Sequence, residues 1–225
     1  MPRARAVSVL GMSPRRYDLT KRRAGSEATR QRILEAARAI LGGKGDLSDF
    51  SVEAVAERAN VARMTVYNQF RSRANLLDSL ADHLAGRGGM ERMREVFASR
   101  SVEEGLRQLV GVFTGFWASD PVTMRRLRAM GVVFPADAHG PRARDAWRRE
   151  AVVHLLARHG IRAVGARRSS VSELIDTTSV LTSFEVFDQL VAEGRKLAEV
   201  EALLTGLVLA SLKRARGSPG DRRHP

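Results

Sequence analysis

Residues 60–77, NVARMTVYNQFRSRANLL, crowd Arg63, Thr65, Tyr67, Asn68, Arg71 and Arg73 around Val61, Val66, Phe70, Leu76 and Leu77. A solvated helix face needs only charge. A surface that meets a polyanion also needs hydroxyls, an amide and an aromatic with a polar tip, held on a small rigid core. Read as a helix from Arg63, the stretch turns Val66 and Phe70 to one side. Arg63, Met64, Thr65, Tyr67 and Asn68 then lie on or beside the other. Just upstream, VEAVAERAN (52–60) places Ala56 where two short helices would cross and Asn60 at the turn between them. Asparagine enters the positive-φ region at lower cost than most residues. Val61 and Val66 would pin the second helix to the first. This spacing predicts a helix-turn-helix whose second helix enters the major groove of DNA.

The residue types suit that task. Arginine can grip guanine O6 and N7, asparagine can pair with adenine, and threonine or tyrosine can reach a phosphate or a thymine methyl. Arg63, Met64, Thr65, Tyr67 and Asn68 are the candidates to read or flank bases. Ser51, Arg71 and Arg73 are the candidates to hold phosphates, with Thr29 and Arg30 as helpers.

Working outward, Ile33, Ala36, Ala37, Ile40 and Leu41 keep helical spacing up to Gly42-Gly43. Leu47 and Phe50 return a loop to the core, Ser51 caps the next helix, and Ser72 caps another that carries Leu76, Leu77, Leu80, Ala81 and Leu84. The chain divides into a basic arm (1–27), expected to be mobile, and a helix-turn-helix domain of three to four helices (28–88). A larger helical domain (89–216) and a disordered tail (217–225) follow. GRGG (86–89) is the expected loosening point between the two domains. The whole is all-α.

The formal net charge of +13 fits an anionic partner. All but four of the 38 basic residues are arginine, a skew that source composition can also produce. The excess divides evenly, +7 on residues 1–90 and +6 beyond, so charge does not locate the DNA face; the motif does. The absence of cysteine excludes disulfides, zinc–thiolate sites and thiol catalysis. The five histidines lack metal-ligand spacing, and no phosphate-cradling glycine loop or nucleophile elbow occurs. Neither an enzyme nor a cofactor is implied. SPRRYDL (13–19) has the look of a twin-arginine export signal, but the charged TKRRAGSEATRQR follows where an apolar stretch belongs. The expected location is the cytoplasm, with no membrane partner.

TRQRILEAARAIL (29–41) and FSVEAVAERANVARMTVYNQFRSRANLLDSL (50–80) resemble the DNA-binding domain of the tetracycline-repressor (TetR) family of bacterial regulators. The resemblance implies that Thr65 and Tyr67 contact the operator and that Arg73 contacts phosphate. It departs at Ala62, where the family often has a capping Ser or Thr, at Met64, often Gly, and at Asn68-Gln69, often a His-Tyr or Tyr-His pair. Beyond residue 90 the resemblance is architectural only. It implies a ligand-binding and dimerisation domain.

The residues of that domain agree in outline. Apolar segments near 171–193 and 197–214 carry more apolar face than a monomer core needs, and predict a homodimer through these last two helices on a palindromic operator. Phe113, Trp117, Leu127, Met130, Phe134, Trp147, His154 and Phe184 are candidates to line an effector pocket. They favour an apolar or aromatic effector, and Arg125, Arg126 and Arg128 nearby would suit an anionic one. The expected function is a repressor of this type, released from double-stranded DNA by a small molecule. The alternatives are an activator, or a regulator or architectural DNA binder without small-molecule control.

Overall fold

The computed structural model describes residues 14–135, 139–165 and 168–217. Among these it contains eleven α-helices and no strand. The helices are α1 (Pro14–Leu41), α2 (Val52–Arg58), α3 (Arg63–Phe70), α4 (Arg73–Arg87), α5 (Met93–Ala98), α6 (Val102–Ser119), α7 (Pro121–Val133), α8 (His139–Arg158), α9 (Arg168–Leu181), α10 (Phe184–Ala192) and α11 (Leu197–Gly217). Helix α1 takes in residues 14–27, which the sequence assigns to the arm; residues 1–13 of that arm and 218–225 of the tail lie outside the described residues.

The small domain is built as the pattern predicts. Ile33, Ala37 and Leu41 of α1 meet Val55 and Ala56 of α2, Val66 and Phe70 of α3, and Leu76 and Leu80 of α4, all buried. Phe50 is also buried, returning the preceding loop to this core. The Ser51 hydroxyl accepts from the Ala54 amide, and Ser72 caps α4 through the Asn75 amide. Helix α2 ends with Asn60 at φ +52°. The Val61 amide donates to the Ala56 carbonyl and the Asn60 amide to that of Glu57, which satisfies the last carbonyls of α2.

Gly88 does not loosen the join to the larger domain. A Cβ there would lie 2.4 Å from the Phe116 ring, so the glycine lets the end of α4 press against α6. Ionic ties reinforce the junction. Asp120 caps α7 through the Thr123 amide and accepts from Arg38 of α1 at 2.7 Å. Glu35 of α1 accepts from Arg38 at 3.0 Å, from His83 Nε2 at 2.9 Å, and from Arg87. Burial pushes the Glu35 carboxyl up, but the bonds from His83 and Arg38 and the positive charge around it win and hold it at about 2, below the ordinary 4.5. Its stabilising contribution is therefore complete above pH 4.5 and is lost as pH falls towards 2. The side chain is 40% exposed, so screening limits the effect to roughly 1 kcal/mol. The melting-temperature difference between wild type and Glu35→Gln should be largest at neutral pH and vanish on acidification; a gap that persists unchanged to pH 3 would contradict this.

In the larger domain α11 packs chiefly on α9 and α6, burying Val200, Leu204, Val208, Leu212 and Ala215. The single helix expected over 171–193 is broken. Ser183 caps a new helix through the Val186 amide, Thr182 turns its hydroxyl back to the Thr178 carbonyl, and the buried Trp117 indole N–H donates to the Thr182 carbonyl at 3.0 Å. The carbonyl freed by the break thus finds its partner on α6.

Candidate nucleic-acid interface and effector cavity

Helix α3 presents one face to the core and the opposite one to solvent. Val66 and Phe70 are buried, Arg63, Met64 and Asn68 are exposed, and Thr65 and Tyr67 are half-buried beside them. Met64, 66% exposed, is an apolar side chain with no core to join. Ala62 begins α3 without a side-chain cap, as its departure from Ser or Thr implies. Arg63 is held in place: its Nε lies 2.7 Å from the Glu53 carboxylate, one Nη donates to the Tyr67 hydroxyl at 3.2 Å, and Cζ sits 5.3 Å from the Tyr67 ring centroid. The Tyr67 bond and the Glu53 charge together raise the Arg63 pKa further above its ordinary range.

Past the end of α3, Arg71 has φ +66° and ψ −38°, and the Ser72 amide donates across it to the Phe70 carbonyl at 2.8 Å. This is a tight γ-type turn, a strained setting for a residue other than glycine. It leaves the Arg71 side chain exposed next to the start of α4.

Other predicted phosphate residues are placed differently. Arg30 donates to the Gln69 carbonyl at 3.2 Å and the Ser79 hydroxyl at 2.8 Å, with its guanidinium 4.4 Å over the Phe70 ring. In this conformation it ties α1 to α3 and α4. The Thr29 hydroxyl donates to the Gly25 carbonyl within α1. The Arg73 guanidinium lies 4.3 Å from the Phe134 ring centroid and 5.9 Å from that of Phe50, so in this conformation it faces the larger domain.

The expected effector residues converge only in part. Leu127 and Trp117 line a small apolar cavity of about 40 Å³ with Phe116, Met124, Arg128, Arg144 and, from α4, Leu77, Asp78 and Ala81. Phe113 stacks on Trp117 and Phe184 meets it edge-on. Met130 is buried, and Phe134 sits against Arg73. Trp147 and His154 do not join them. They lie on the outer face of α8, Trp147 44% exposed and His154 exposed and edge-on to Phe97. Their helical spacing is that of a surface stripe.

The arginines expected to attract an anion are already matched. Arg125 is paired with Asp188 at 2.6 Å, Arg126 donates to the Gly45 carbonyl, and Arg128 lies between Glu185 at 2.5 Å and Asp145 at 3.2 Å. Burial works to raise the Asp145 pKa, yet Arg128 and Arg148 hold it below its ordinary value. Sequence reasoning missed the other cavity wall. Arg144 of α8 donates to the Asp78 carbonyl at 2.7 Å and to the Asp82 carboxylate at 2.6 Å, which clamps α4 to the larger domain directly beside the cavity. Nothing in an amphipathic pattern signals that one face of α4 serves a second domain.

The α2–turn–α3 unit, with Arg63, Met64 and Asn68 exposed and Tyr67 half-buried on its second helix, has the arrangement of a helix-turn-helix. Residues 33–80 match the model of the family described as bacterial regulatory proteins, tetR family. The fold extends the likeness past that domain. A TetR-like transcriptional regulator from Rhodococcus sp. RHA1 is 20% identical with a TM-score of 0.54, covering 82% of this chain and 96% of that one. A TetR-family regulator from Rhodococcus sp. is 15% identical with a TM-score of 0.59, covering 82% and 99%. No curated protein matches the chain. Over residues 33–80 the chain is similar to the DNA-binding domain of the tetR family, and over most of its length it shares the fold of these two regulators. Among the described residues, no helix is long and apolar enough to cross a membrane, and no group of three or more acidic or histidine side chains is arranged to hold a metal ion.

Proposed function

We propose that the protein is a homodimeric repressor that grips a palindromic operator with α3 of each subunit and is released by a small apolar or aromatic effector bound beside α4. The exposed Arg63, Met64 and Asn68 and the half-buried Tyr67, on a helix docked by a tight turn, carry the operator reading. The effector reading rests on the cavity, since Leu77 and Ala81 give α4 one of its walls. An occupant larger than the cavity must displace α4 or the opposing α6–α8 wall. Displacement strains the Arg144 clamp, so effector and operator would favour different placements of the same helix.

At about 40 Å³ the space holds little more than a water molecule. Regulation without a small molecule is therefore the second reading. A compound screen on the preformed protein–DNA complex separates them. The proposal expects an apolar or aromatic compound that dissociates the complex, and expects Ala81→Leu, which fills the cavity, to blunt that release about tenfold while keeping DNA affinity. A releasing compound equally potent on Ala81→Leu would overturn the cavity assignment.

A further inference from the structure

Glu53 stands out because a carboxylate on a DNA-facing surface should repel the phosphates. It occupies the first turn of α2, where the helix dipole favours an anion, and its carboxylate forms an ion pair with Arg63, 2.7 Å from Nε. The Tyr67 hydroxyl accepts from an Arg63 Nη at 3.2 Å, and the Tyr67 ring lies under the guanidinium. Three contacts thus fix a side chain that is 60% exposed and would otherwise sample many rotamers. With the Glu53 carboxylate beside Nε and one Nη–H given to the Tyr67 hydroxyl, the guanidinium still has N–H groups at its far end, away from Nε. Two such parallel donors match guanine O6 and N7.

From this geometry we infer that Glu53 is a specificity-determining positioning residue: it holds Arg63 in the orientation that reads a guanine in the operator. The inference rests on α3 being the groove-entering helix. It assigns Glu53 no DNA contact of its own. Glu53 lowers non-specific attraction by its charge, and raises discrimination by presenting Arg63 already oriented. Binding to the right base then costs less ordering of the arginine, while binding to a wrong base leaves the same donors unpaired.

The test uses the full chain, the best duplex recovered by the wild type from a random pool, and a scrambled duplex of equal length. The affinity ratio between the two is measured for wild type, Glu53→Gln, Arg63→Ala and the double variant, with melting curves to verify folding. Glu53→Gln should lower the ratio about tenfold and Arg63→Ala at least as much, one bidentate contact being worth about that factor. The double variant should be no worse than Arg63→Ala alone. Stronger binding of Glu53→Gln to both duplexes with an unchanged ratio would overturn the inference, reducing Glu53 to a repelling charge. Additive losses in the double variant would overturn it too. An unchanged ratio for Arg63→Ala would instead remove Arg63, and with it this role for Glu53, from operator reading.

Discussion

Trp117→Ala is expected to lower the melting temperature by about 10 °C, the largest loss of stability for any single side chain named above. Trp117 is 6% exposed, and its ring meets Phe113, Phe116 and Phe184. Truncating a buried aromatic of this size costs about 3–5 kcal/mol, and each kcal/mol moves the melting point of a protein this long by about 2–4 °C. A second cost is specific to this fold. The indole N–H satisfies the Thr182 carbonyl where α9 breaks from α10, and its loss leaves that carbonyl buried and unpaired. Trp117→Phe, which keeps a ring but not the donor, should fall between wild type and alanine. Differential scanning calorimetry checks the series. An alanine variant melting within a degree or two of wild type would mean that the aromatic cluster is not the keystone of the larger domain.

Leu207→Arg should turn the proposed dimer into a folded monomer and weaken specific operator binding by a factor on the order of 10²–10⁴. Helix α11 buries one row of side chains against α6 and α9, yet leaves Leu203, Gly206, Leu207 and Ala210 along a neighbouring face. Leu207 is 45% exposed in the single chain, and Val180 and Val191 add exposed apolar surface from α9 and α10. An arginine at 207 costs the monomer little, because it replaces an exposed side chain. In a two-fold interface the same change places a charge opposite its own copy. The affinity loss follows because a monomer forfeits the effective concentration that a tethered second recognition helix supplies. Light scattering reads the mass and anisotropy the affinity. A Leu207→Arg protein that stays dimeric would move the proposed interface elsewhere on the surface.

The helix-turn-helix was legible because its determinants are local. Helical spacing, a serine cap and an asparagine able to take φ +52° all lie within about twenty consecutive residues of the motif. Partnership in the tertiary structure was not legible. Arg30 and Arg73 carry the charge expected at a phosphate contact, but Phe70, Gln69 and Ser79 engage the first and Phe134 the second. The break after Leu181 was hidden because apolar spacing runs straight through it; the Trp117 indole that accommodates the break is 65 residues away in sequence. The eight aromatic and apolar pocket candidates scattered for a related reason. Period alone does not distinguish the inward face of α7, with Leu127, from the outward face of α8, with Trp147.

The most direct test of the account is the affinity of the purified protein for DNA flanking its own gene against scrambled DNA of equal length, by fluorescence anisotropy across a salt series. The helix-turn-helix reading predicts an advantage for one flanking segment of about 10³-fold or more at physiological salt. Each curve should weaken steeply as salt rises, because phosphate contacts release counterions. Equal affinity for both DNAs at every salt concentration, in flanking segments and in duplexes selected from a random pool alike, would contradict sequence-specific reading by α3.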